Sequence, residues 1–166
     1  LLLFIIAIHH CDNKTGICDV LNTASVYPSI ARTARIIDPY FDNERDMMLR
    51  CGIDMIEIRR VEDGIARLGE RFLNRFFTPG ERADCADKPY RLAARLAAKE
   101  AVAKALGTGI GDVSWRDIEI RGDERGRPVL YLHGAAGKLS AALGITEWDV
   151  SLTHTAEFAS AMAVAR

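Results

Sequence analysis

The run Pro89–Leu106, PYRLAARLAAKEAVAKAL, constrains the fold of this chain more than any other. Proline opens a helix at its first position and Gly107 stops it, so the run reads as one helix. From Leu92 to Leu106, seven of fifteen residues are alanine, and the small residues lie all round rather than on one stripe. Such a helix lets another backbone or a ligand approach closely, so burial on most sides is expected. Against that background Glu100 and Lys104 stand four apart, stacked on one face, with Arg95 and Lys99 as a second charged pair nearby. One reading is a simple helix pair worth about 0.3–0.5 kcal/mol. The sequence Gly107-Thr108-Gly109-Ile110-Gly111 opens another, because three glycines allow successive backbone N–H groups to form an anion-binding nest. A helix C-terminus repels phosphate, so such a site needs the charge of Lys104. The order differs from a P-loop, in which the glycines precede the lysine.

The remaining pattern frames this helix. Leu49–Met55 reads as a strand and Glu57–Leu68 as an amphipathic helix, with Ile58, Val61, Ile65, Leu68 and Phe72 on one face. Arg60, Arg67 and Arg71 form a stripe beside that face, provided Gly69 does not break the helix. Thr78-Pro79-Gly80-Glu81 has the composition of a capping box, which starts a short helix at Pro79. Ile118 and Ile120, a turn at Asp123–Gly126 and Val129–Leu132 make a hairpin. A helix over Ala135–Leu143 and strands at Trp148–Thr153 and Phe158–Ala165 follow. Helices followed by hairpins indicate an α+β domain with antiparallel strands packed on helices.

Asp54 ends the first strand and sends a carboxylate toward the region that the long helix must pack against. A turn residue or a helix N-cap is one reading. The other joins Asp54 and Glu100, from separate elements and with lysines around them, as oxygen ligands for Mg2+, which completes its shell with water and phosphate.

These residues belong to longer motifs. G-I-D-x-x-E-I-x-R at 52–60, F-x-x-x-E at 77–81, R-x-A-A-K-E-A-x-x-K-A-L-G-T-G at 95–109, G-R-P at 126–128 and S-L-T-H-T at 151–155 occur in order. Across Met48–Arg166 the chain resembles the holo-acyl-carrier-protein synthases, which are phosphopantetheinyl transferases. The resemblance implies transfer of 4'-phosphopantetheine from coenzyme A to a serine of apo acyl carrier protein, with release of 3',5'-ADP, in fatty-acid or polyketide biosynthesis. It implies that Asp54 and Glu100 hold Mg2+ and that Lys104 meets the phosphates. Arg95, Lys99, Gly107, Thr108, Gly109, Pro128, Ser151 and His154 would border the coenzyme. Some members carry histidine two positions before the serine of the last motif. Here that position is Asp149, so either Asp149 or Glu100 is expected to take the serine proton, with Glu100 favoured. The resemblance further implies a homotrimer with sites between subunits, and an acidic carrier protein docking on Arg60, Arg67 and Arg71.

Residues 1–46 match none of this. They lack sustained periodicity, and Met47 and Met48 stand just before the first patterned strand, so an N-terminal extension ahead of a catalytic domain at 47–166 is expected. Its apolar opening LLLFIIAI is far short of the roughly 20 residues that cross a bilayer. His9, His10, Cys11 and Cys18 lack the second ligand pair of a zinc finger. The four cysteines form no C-x-x-C pair, which suits free thiols in a reducing cytoplasm. A net charge of −1, without interleaved aromatic and basic residues, argues against nucleic-acid and membrane partners. A coenzyme-binding regulator without transferase activity would use the same cradle, but would survive loss of Glu100.

Overall fold

The alanine-rich segment forms one helix from Pro89 to Leu106 in the computed structural model, which describes residues 49–166. The expected extension, with its histidines and first two cysteines, lies outside the described residues. Among these, strand β1 is Arg50–Glu57, helix α1 is Ile58–Leu68, α2 is Glu70–Phe76, α3 is Pro79–Cys85 and α4 is Pro89–Leu106. A 3-10 turn at Trp115–Asp117 leads into β2 (Ile118–Gly122), β3 (Pro128–Leu132), α5 (Gly134–Ala142), β4 (Trp148–His154) and β5 (Phe158–Ala165). None of the described helices is long and apolar enough to cross a membrane.

Helix α4 is the axis of the domain. Its alanines let β1, β5 and β4 close on one side while α1, α3, β2 and α5 pack round the rest. The strands form an antiparallel sheet in the order β1-β5-β4, and β2 pairs with β3 as a separate hairpin. Gly52 sets how closely the sheet and helix approach. A β-carbon there would overlap the carbonyl oxygen of Ala101 and lie 2.9 Å from the amide nitrogen of Ala105. Two apolar clusters flank α4. One gathers Val102, Ile118, Ile120, Ala136 and Val150, the other Ile58, Val61, Leu73, Phe77, Leu92 and Leu96.

Alternation along β1 turns Gly52, Asp54 and Ile56 toward α4 and Cys51, Ile53 and Met55 away from it. Register carries this across the sheet, because Ile53 pairs with Met162 and Ser151 pairs with Met162 from the other side. The outer face therefore presents Ile53 and Met55, each 64% exposed, and Met162 at 44%.

The α+β architecture matches the sequence expectation, with two local differences. Gly69 does break the first helix: its φ of 51° and ψ of −129° end α1, and α2 starts at the next residue. Arg71 thus leaves the stripe of Arg60 and Arg67 and sits on α2. The capping box forms as expected, with Glu81 N donating to Thr78 Oγ1 at 3.2 Å and Thr78 N to Glu81 Oε2 at 2.9 Å. The glutamate nevertheless goes further than a surface cap, because it is fully buried.

Candidate active site

Asp54 and Glu100 line the same cavity, of about 410 Å3, between β1 and α4. Register fixes Asp54 on the helix side of the sheet, and the close approach at Gly52 brings that position to the face carrying Glu100 and Lys104. Val61, Phe72, Phe76, Leu96 and Trp115 supply apolar walls, and Arg60 borders the opening. Burial raises the Glu100 carboxyl above its ordinary range, the negative charge of Asp54 pushes it the same way, and Lys104 opposes both.

Lys104 does not close on Glu100 as helix spacing allows. Its Nζ lies 2.8 Å from Asp54 Oδ1 and donates to the carbonyl of Ile53 at 3.0 Å. The long side chain reaches across to the strand and partly neutralises the two-carboxylate pair. Two hard oxygen donors in a half-enclosed site fit Mg2+, which takes one or two protein carboxylates and leaves its other positions to water and phosphate. Among the described residues no group of three or more His, Cys, Asp or Glu side chains is placed to hold a metal. Any ion here would thus depend on water and substrate for its remaining ligands.

The other sequence candidates part company. Arg95, Pro128 and His154 line a second cavity of about 500 Å3, together with Arg91, Asp84 and Thr153. The Nε of Arg95 is buried there without a hydrogen-bond partner, a donor left over for an anion. Sequence reasoning missed Arg91 at this cavity, and Tyr90 behind its His154. The Tyr90 ring lies 5.0 Å from that of His154, and the Arg91 guanidinium sits 5.8 Å from the Tyr90 centroid. Their signal was adjacency to Arg95 one turn along α4.

Lys99 must be corrected from a coenzyme contact to an internal residue. Its ammonium is fully buried and bridges to Glu81 at 2.8 Å. Projecting from a different side of α4 than its neighbour Glu100, it meets only protein. The glycine nest is corrected too. Gly107 N donates to Lys104 O at 3.0 Å, and the amides of Thr108 and Gly109 each donate to Ala103 O at 3.2 Å. The carbonyls at the end of α4, which lack partners farther along the helix, take these donors, so Gly107, Thr108 and Gly109 cap the helix. Neither they nor Ser151, on the exposed sheet face, line either of these cavities. Asp149, 3.1 Å from the exposed Arg127, also lies outside the carboxylate cavity.

The comparisons with known proteins agree on one family. The model of the 4'-phosphopantetheinyl transferase superfamily matches residues 50–159. A holo-[acyl-carrier-protein] synthase of Herpetosiphon aurantiacus is 46% identical over 124 residues, covering 70% of this chain and 98% of that protein. One from Moorella thermoacetica is 50% identical over 120 residues, 70% of this chain and 93% of its own length. Among solved structures, the Helicobacter pylori enzyme in complex with coenzyme A superposes with a TM-score of 0.65 at 35% identity, over 70% of this chain and 99% of that one. A Bacillus anthracis relative, also with coenzyme A, gives 0.59 at 36% identity over 72% and 97%. With the two carboxylates of the G-I-D and K-E-A motifs in one cavity, this chain belongs to the 4'-phosphopantetheinyl transferase superfamily, among the holo-[acyl-carrier-protein] synthases.

Proposed function

We propose that residues 47–166 are the catalytic unit that moves the 4'-phosphopantetheine group of coenzyme A onto a serine of apo acyl carrier protein, releasing 3',5'-ADP. The observation that carries this reading is the pairing of Asp54 and Glu100 in one cavity with Lys104 between strand and helix. In the reaction the serine oxygen bonds to the β-phosphorus of coenzyme A and the bond to the 3',5'-ADP oxygen breaks. Glu100, in the same cavity as Asp54, accepts the serine proton. Lys104 supplies positive charge beside the phosphates. Asp54 and Glu100 would hold Mg2+, which when bound offsets the charge on the pyrophosphate. Arg95, with its unpartnered Nε, suits an anionic part of the coenzyme, and Pro128 and His154 share that cavity. The test is intact-mass spectrometry of apo carrier protein incubated with coenzyme A and Mg2+. A phosphopantetheine mass gain supports the reading, and an unchanged carrier mass rejects it.

Arg60, Arg67 and Arg71 are all exposed, and Arg60 borders the carboxylate cavity, which suits docking of an acidic carrier beside the reacting groups. Reversing Arg60 and Arg67 to glutamate is expected to raise KM for carrier protein at least tenfold and leave KM for coenzyme A unchanged, an effect of steering and docking charge. Equal changes in both constants would reject the docking face.

A homotrimer fits two features. Ile53, Met55 and Met162 leave an apolar sheet face uncovered, and the expected coenzyme residues are divided between separate cavities that neighbouring copies would bring together. Light scattering should give three times the chain mass. Ile53→Glu with Met162→Glu, which puts two carboxylates on that exposed apolar face, is expected to give monomers. The exposed Cys51 and buried Cys85 are free thiols, which supports a cytoplasmic setting.

A further inference from the structure

The K-E-A motif places Lys99 immediately before Glu100, yet the two side chains lead different lives. Lys99 and Glu81 are both 0% exposed, joined at 2.8 Å. The ammonium also donates to the carbonyl of Trp115 at 2.8 Å and to that of Ile118, so its three protons are all engaged. Glu81 in turn accepts from Ile120 N at 3.0 Å and Thr78 N at 2.9 Å. One buried ion pair thus ties α4 to α3, to the 3-10 turn and to β2.

We propose that Lys99 and Glu81 are a positioning pair, which fixes the roll of α4 and the place of Trp115 and so sets the geometry of the Glu100 cavity. This rests on the reading of Glu100 as the reacting carboxylate. Successive helical residues point about 100° apart, so a rotation that swings Glu100 drags Lys99 off its three acceptors. A second part of the cavity lining is held by the same ammonium, because Lys99 grips the backbone of Trp115. The Trp115 ring lines the cavity beside Glu100 and meets Phe76 edge-on at 5.1 Å. Stability alone explains such a pair poorly, since well-packed apolar groups commonly replace buried ion pairs without loss. Fixing one arrangement of four elements is what the pair does and an apolar patch would not.

The test is steady-state transfer by the double variant Lys99→Met/Glu81→Gln, which removes both charges together, alongside Trp115→Ala, which keeps the pair and removes only the wall. With folding verified by circular dichroism, the double variant is expected to lose about 100-fold in kcat while KM for coenzyme A stays within about threefold. Trp115→Ala should lose about tenfold in kcat with little change in KM. In a Trp148→Phe background Trp115 is the sole tryptophan, and its emission should shift to the red when the pair is removed. Wild-type kcat in either variant, or unaltered Trp115 emission in the double variant, overturns the proposal. Should the double variant fail to fold, Trp115→Ala decides alone. A wild-type protein that transfers nothing would reject the transferase reading instead, and the emission shift would still report whether the pair holds Trp115.

Discussion

Glu100→Gln is expected to lower the transfer rate by about three orders of magnitude while making the metal-free protein melt a few degrees higher. The two effects share a cause. On the proposed reading, transfer uses a carboxylate at this point, to take the serine proton and to face the phosphates beside Asp54. The folded protein tolerates that carboxylate at a cost, since burial and the charge of Asp54 both disfavour ionisation, with Lys104 only partly offsetting them. A raised carboxyl pKa means that the native state keeps a proton which the unfolded chain has released. Stability therefore falls as pH rises from the ordinary value of 4.5 through the raised one, and the full penalty remains at neutral pH. Glutamine is neutral at every pH, so its advantage in melting temperature should be present at pH 7 and vanish at strongly acid pH. Scanning calorimetry in EDTA at several pH values would show this. A variant that melts no higher than wild type at pH 7 would mean that the carboxylates do not oppose each other.

Gly52→Val should be the most damaging change to the fold outside the catalytic groups. Even the first carbon of a side chain at this position overlaps the backbone of α4 at Ala101 and presses on Ala105. Backbone cannot swing aside as a side chain does, so β1 must lift away. The cost should exceed the roughly 1–3 kcal/mol of ordinary overpacking, which for a domain of this size lowers the melting temperature by more than about 5 °C. Since Asp54 rides on the same strand two residues later, the displacement also carries it away from Glu100. Activity should fall even at temperatures where the variant remains folded. Gly52→Ala should show a smaller version of both effects, and an alanine variant that melts and reacts like wild type would refute the close approach.

Legibility in the sequence followed the range of each interaction. Helix α4, the Thr78–Glu81 box and the β2–β3 hairpin depend on neighbours within a few residues, and spacing was enough to place them. The pairing of Asp54 with Glu100 joins residues far apart in the chain, so the residue pattern left it as one of two readings and the ordered resemblance to a family favoured it. Lys99 shows the opposite limit. Its sequence neighbours made it look like part of a charged, ligand-facing group, whereas its partner Glu81 lies on another helix and its acceptors follow α4. Gly107–Gly109 misled in a different way, because a run rich in glycine suits an anion nest and a helix cap equally well. The unsatisfied carbonyls of α4 decided between them, and those exist only once the helix has formed. The break at Gly69 was left open by the sequence and settled by its left-handed φ.

The encirclement of α4 has a consequence for how this protein tolerates change. Most surface helices accept substitutions along one flank and resist them along the other, so a library of single variants shows tolerance that rises and falls every three or four residues. Helix α4 has neighbours on nearly every side, and alanine fills most of the space that they leave. Its tolerance profile should therefore be flat and low, broken mainly at exposed Arg91 and Lys104. Efforts to stabilise or retune this domain would find more room in the outer helices and the β2–β3 turn than in its central rod.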